Sequence, residues 1–176
     1  MKSAFTLIEL LISVSIVGII LLITFLVINP ATLRAKARDS QRAGNIKSIQ
    51  AAIQLYYVDK KAYPMSTSPT DNWINITGSD SLSLALTTGT PQYIMSIPLD
   101  PLQGTNASDP CDLNVSGKPV YRFNYKSDGS YYLLTAQAES LGTPKGNVCS
   151  NLSLWAGKSG CSGSNPNCFG LEGRSL

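Results

Sequence analysis

The chain has 176 residues, 43% of them hydrophobic and 14% charged, with a formal net charge of +3. That length suits one anchored domain better than two. Histidine is absent altogether, which excludes serine or cysteine catalysis of the usual histidine-assisted kind.

The net charge conceals an asymmetry. Through Tyr63 there are eight Lys and Arg against three Asp and Glu, and from Pro64 onward six against eight. From Phe5 to Ile28 the sequence is apolar, with Glu9 as its only charge. A helix of about 24 residues at ~1.5 Å each spans a ~30 Å hydrocarbon core. An acidic side chain in such a span is unfavourable by about 2.5–3.5 kcal/mol at the centre and less near the interface, so a retained Glu9 implies a partner. The plainer reading is local: Thr6-Leu7-Ile8-Glu9 fits a capping box, and a carboxylate in the first turn also suits the helix dipole. A cleaved secretory signal is a third reading, with Lys2 as the basic start and Ala35-Lys36-Ala37 as the cleavage pattern. Its apolar core would be too long, and Asn29-Pro30 through Arg34 intervene. After the span stand Arg34, Lys36, Arg38 and Arg42, against Lys2 and the initiator amine before it. On charge alone this favours a cytoplasmic C-terminal part.

Pro30 removes a backbone donor and predicts a bend, and Gly18 is a second place where the helix can bend or locally open. Helix is predicted again from Ala31 to about Lys60. Ile46, Ile49, Ile53 and Tyr56 form one apolar stripe, widened by Tyr57 and Val58. Arg34, Lys36, Arg38 and Arg42 supply the polar part, read as a solvated surface or a contact with acidic neighbours before any DNA or anionic-lipid face. Gly44 weakens the helix by about 1 kcal/mol relative to Ala, and Tyr63-Pro64 closes the segment.

The remainder is rich in Gly, Pro, Ser, Thr and Asn. Ser66–Thr90 reads as a loop with a short helix around Ser81–Leu86. Val120–Tyr125 alternates, with Tyr121, Phe123 and Tyr125 on one face. Ser130–Ala138 reads as its hairpin partner across Asp128-Gly129. Tyr93–Met95 and Leu152–Trp155 are weaker strand candidates. An antiparallel sheet of three or four strands on the Ile46/Ile49/Ile53 stripe buries both apolar faces, giving an α+β fold.

All four cysteines, Cys111, Cys149, Cys161 and Cys168, follow the helix and point to disulfides, with three possible pairings. Cys111–Cys149 and Cys161–Cys168 is the favoured one. A zinc site lacks both paired cysteine spacing and histidine, so no metal ligand and no cofactor is expected. Asp100, Asp109, Asp112 and Asp128 sit beside Pro or Gly and read as turn residues rather than a carboxylate cluster. Asn75, Asn106, Asn114 and Asn151 begin glycosylation tripeptides, which a Ser- and Asn-rich chain contains by chance. No phosphate-binding glycine loop and no catalytic constellation appears, so no enzyme is expected.

Lys2, the small Ala4, Phe5-Thr6-Leu7-Ile8-Glu9 and the unbroken apolar run resemble the type IV prepilin family, which includes type IV pilins and the pseudopilins of type II secretion. Leu55-Tyr56-Tyr57-Val58-Asp59, Tyr63-Pro64 and Ile97-Pro98-Leu99-Asp100-Pro101 look like the major pseudopilin pattern. The resemblance implies a type IV pilin fold, cleavage by prepilin peptidase between Ala4 and Phe5, and N-methylation of Phe5. It further implies that Glu9 pairs with the Phe5 amine of a neighbouring subunit. The family usually has Gly where this chain has Ala4. Pseudopilins also bind calcium in an acidic C-terminal loop, yet after Glu139 the only acid here is Glu172. The implied organisation is a leader (1–4), a transmembrane and filament-core helix (5–29), an amphipathic helix (30–63) and a β-rich exported part (64–176). The precursor would sit in the cytoplasmic membrane and then enter an extracellular or periplasmic helical homo-oligomer, built by an assembly platform and its ATPase. The alternative is a monomeric, membrane-anchored extracellular module that binds a ligand or DNA.

Overall fold

The computed structural model describes residues 6–27, 29–66, 73–107, 111, 120–140, 147–154, 161 and 167–175. It divides into two units, Met1–Arg34 and Ala35–Leu176.

In the first unit, α1 (Leu7–Val27) is long and apolar enough to cross a membrane. From Leu7 to Thr24 every side chain is exposed. Its few hydroxyls bond back to the helix: Ser13 to the Glu9 carbonyl at 2.6 Å, Ser15 to Leu11 at 2.8 Å and Thr24 to Ile20 at 2.7 Å. Such bonds leave no side-chain donor to be satisfied from outside. A second helix, α2 (Pro30–Lys60), then begins with its own cap. Asn29 Oδ1 accepts the Ala31 N–H at 3.0 Å, and Pro30 takes the first helical position, where a missing N–H matters least.

In the second unit α2 packs on an antiparallel sheet, as predicted. Ile46, Ile49, Ala52 and Ile53 are buried against Ile74, Phe123, Tyr125, Leu134 and Phe169, among others. The helix ends at Lys60, before Tyr63-Pro64, because Lys61 turns into the left-handed region (φ 57°) while its N–H still reaches the Tyr57 carbonyl at 2.8 Å. Tyr63 and Pro64 instead join the hairpin: Tyr63 N–H bonds the Gly129 carbonyl at 2.9 Å and the Tyr125 hydroxyl donates to the Pro64 carbonyl at 2.8 Å.

The strands among the described residues are β1 (Trp73–Asn75), β2 (Asn124–Ser127), β3 (Tyr131–Gln137), β4 (Asn147–Val148) and β5 (Cys168–Arg174), in the order β1-β2-β3-β5-β4. This is one strand more than the largest sheet read from the sequence. The β2–β3 hairpin turns at Gly129 (φ 94°), with Asp128 Oδ1 accepting the Ser130 N–H at 2.9 Å. The predicted strand from Val120 survives only at its end. Val120 bridges Asn106, Tyr121 bonds the 104–105 segment and Phe123 bonds Ile76, so one extended stretch pairs first with 104–106 and then with the end of the β1 segment before β2 begins. The helix α3 (Ser81–Thr87) forms where expected, with Asp80 capping the Ser83 N–H at 2.9 Å. Tyr93–Met95 is no strand: the Tyr93 and Ile94 N–H groups both point at the Leu86 carbonyl. Leu152–Leu154 lies in a turn, and Trp155 is outside the described residues.

β1 falls in the stretch that reads as a loop, and β4 and β5 in stretches where the sequence pattern predicts no element. In β5 the reason is steric. A Cβ at Gly170 would collide with the Leu134 carbonyl, and one at Gly173 with the Tyr132 ring. The glycines that mimic a loop are what let β5 lie against β3. The far face of the sheet carries a second apolar cluster of Trp73, Cys111, Leu133, Cys149, Leu152, Cys161 and Cys168.

The disulfides are Cys111–Cys168 and Cys149–Cys161, not the favoured pairing. Strand β5 takes Cys168 into the sheet, out of any short tail loop with Cys161, and Cys111 reaches it there. By loop-closure entropy, separations of 57 and 12 residues correspond to about 4 and about 3 kcal/mol.

Ile49→Ala should lower stability by about 2–5 kcal/mol, while Ser48→Ala on the exposed side of α2 should stay within about 0.5 kcal/mol. Equilibrium denaturation with the disulfides intact measures both.

Candidate functional site

Glu9 lies in the first turn of α1, and its carboxylate is held from within the chain. Oε2 accepts the Thr6 N–H at 3.1 Å and the Thr6 hydroxyl at 3.0 Å, while the Glu9 N–H points at Thr6 Oγ1 at 3.4 Å. This is the reciprocal capping box that the Thr-x-x-Glu spacing predicts. A carboxylate offers about four lone-pair positions, so capping by Thr6 leaves room for a further donor. Ala4 and Phe5, the expected cleavage and methylation positions, lie outside the described residues. Gly18 stands in the body of α1 with open space where a Cβ would be. Pro30 opens α2 rather than interrupting one continuous helix.

The second unit contains a polar centre that no motif announced. Arg42, which the sequence places on a solvated face, is fully buried. Its guanidinium grips Asp100 through two bonds, Nε to Oδ2 at 2.7 Å and Nη2 to Oδ1 at 2.9 Å. Nη1 reaches Asp39 Oδ1 at 2.7 Å and Glu139 Oε1 at 2.6 Å. The Tyr121 ring lies 4.7 Å from the guanidinium carbon. Arg38 also bonds Glu139, through Nε at 2.7 Å and through Nη2. Asp39 accepts three further bonds where the chain leaves β3: the Glu139 N–H at 2.9 Å, the Ser140 N–H at 2.9 Å and the Ser140 hydroxyl at 2.7 Å.

Burial alone would lower the Arg42 pKa, but the bonds and charges of Asp100, Glu139 and Asp39 outweigh it and hold the group cationic. For Glu139, burial pushes the carboxyl up, and the bonds and charges of Arg38 and Arg42 bring it below the ordinary glutamate value. The basic segment after the span is therefore less available to partners than its sequence suggests. Of its first four cations, Arg34 and Lys36 are exposed, while Arg38 and Arg42 are engaged internally.

The aspartates read as turn residues separate accordingly. Asp128 is one, capping the hairpin, whereas Asp100 is buried and binds Arg42. Asp109 and Asp112 lie outside the described residues. The only local hint of the cluster was Asp39 and Arg42 at i,i+3.

Residues 1–25 match the family of the prokaryotic N-terminal methylation motif. That motif is the type IV pilin and pseudopilin signature, and it points to a structural, generally non-enzymatic class. Together with α1 it suggests a membrane-anchored precursor. Comparison with curated proteins and with solved structures finds no match.

Arg42→Ala strands buried carboxylates and should lower stability by about 3–5 kcal/mol, read by chemical denaturation. Because the folded Glu139 pKa is depressed, its contribution is present above the ordinary glutamate range and is lost as pH falls through the folded value. Thermal midpoints should therefore fall on going from about pH 7 to about pH 3, and fall less steeply for Glu139→Gln.

Proposed function

We propose that this chain is a type IV pilin-like structural subunit, cleaved by prepilin peptidase after Ala4, N-methylated at Phe5 and assembled into a helical pilus or pseudopilus filament. The observation that carries this reading is a single carboxylate, Glu9, in the first turn of an otherwise uncharged apolar helix that is exposed from Leu7 to Thr24, inside a matched methylation motif. The helix needs cover from lipid or from other helices, since its own unit provides none. Glu9 would pair with the Phe5 amine of a neighbouring subunit, so that each charge finds its opposite only in the polymer. Phe5–Asn29 would line the filament core, and the β-rich part from Pro64 would form the outer surface. Gly18 and Pro30 would be the points where the helical rod yields. The precursor would wait in the inner membrane, and the platform and its ATPase would supply the work.

The Thr6 capping bonds favour a second reading, a monomeric anchored binding module, because they satisfy hydrogen bonds of Glu9 without a neighbour. Two measurements separate the readings. Mass spectrometry of the mature protein from native cells should find a chain starting at N-methylated Phe5; an intact Met1 supports the anchored module. Glu9→Leu should abolish filaments while leaving precursor abundance and the denaturation midpoint of the outer unit unchanged. Filaments in normal amount from that variant would remove the pairing role.

A further inference from the structure

We infer that residues 35–45 of α2 form a strap held to the outer unit by ion pairs and polar bonds, able to lift off while the apolar core stays folded. The inference rests on the second unit by itself and stands apart from the filament reading. Along α2 the buried side chains are Asp39 and Arg42, and then Ile46, Ile49, Ala52 and Ile53. Apolar burial thus begins at Ile46. Before it, the helix is docked by the Asp39, Arg38 and Arg42 bonds described above and by Asn45 Nδ2, which donates to the Leu99 carbonyl at 3.1 Å.

The two halves of this docking answer to different physics. Lifting Ile46–Ile53 would expose apolar surface to water and is opposed by the hydrophobic effect. Lifting 35–45 would expose no buried apolar side chain of the strap and would return ions to water, whose hydration offsets much of their lost attraction. Once lifted, the strap is a short helical stretch without tertiary support, so its backbone hydrogen bonds fray and its amides open to exchange. Gly44 lies just before the boundary, with nothing within 4 Å of where its Cβ would be. No packing demand accounts for glycine there, and it makes that turn the softest point of the helix.

The groups facing one another are Arg38, Asp39 and Arg42 on the strap, Asp100 on the segment preceding its Leu102 contact, and Glu139 beyond β3, with the Tyr121 ring over Arg42. Glu139 pairs with both guanidiniums of the strap, Arg38 and Arg42, so neutralising Glu139 weakens the attraction that holds the strap. Acid therefore releases it, and Glu139→Gln imitates that step at neutral pH.

Hydrogen exchange of the full chain in detergent micelles, read by mass spectrometry across low urea concentrations, tests this. In the wild type, amides 36–45 should exchange at least about tenfold faster than 49–58, with little dependence on urea, as expected of a local opening. Glu139→Gln should speed 36–45 by about a further tenfold and leave 49–58 and 131–137 within about twofold. Equal rates and equal urea dependence of 36–45 and 49–58 in the wild type would overturn the strap, even if the variant fails to fold. So would a variant that speeds both stretches alike.

Discussion

The sheet of the second unit is arranged around β3, a strand buried on both faces. Its even positions, Tyr132, Leu134 and Ala136, belong to the cluster beneath α2, while Leu133 belongs to the cluster on the far side. A strand in that position needs two covers. The helix stripe supplies one, and the disulfide-stapled layer of Cys111, Cys149, Leu152 and Cys161 supplies the other. Neither cover alone would leave the sheet dry, which explains why a small β-rich part carries two disulfides when a 31-residue helix already packs on it.

The same need accounts for the glycines of β5. To form a sheet with β3, β5 must pass tightly over the Leu134 carbonyl and the Tyr132 ring, and only a residue without a Cβ does so. The disulfide from Cys111 to Cys168 then fixes the start of that strand, opposite Gln137 of β3. Backbone pairing, side-chain absence and covalent closure thus act on one short element from three directions.

Legibility followed the range of the interactions. The apolar run, the Ile46/Ile49/Ile53 stripe, the Asp128-Gly129 hairpin and the Asp80-capped α3 are local patterns, and each appears where its pattern places it. β3 was legible as a strand, although two-sided burial erases the alternation that would have shown which face was which. β5 was illegible because its glycines signal a loop unless the neighbouring strand is known. The Cys pairing depended on where β5 carries Cys168, which spacing does not encode. Arg42 was misread for the same reason: Asp100 is 58 residues away and Glu139 is 97 away, so beyond the i,i+3 spacing to Asp39 nothing near Arg42 distinguishes a buried guanidinium from a solvated one. At the N-terminus the reverse holds. The Thr6–Glu9 box is entirely local and was readable from its spacing.

That local box bears on whether Glu9 is a capping residue or an assembly residue, and the two roles are not alternatives. Hydrogen bonds from the Thr6 N–H and hydroxyl satisfy lone pairs, but both donors are neutral. In water this would suffice. Among hydrocarbon or packed apolar helices, an ionised carboxylate keeps a large solvation deficit that neutral donors only partly offset, and a cation offsets the rest. Capping therefore fixes where the carboxylate points, and neither Thr6 donor meets its charge. In the filament proposed above, a helix built this way would present one oriented negative charge on an apolar surface, a registration mark for a cation on an identical neighbour where leucine and isoleucine side chains alone would permit any register.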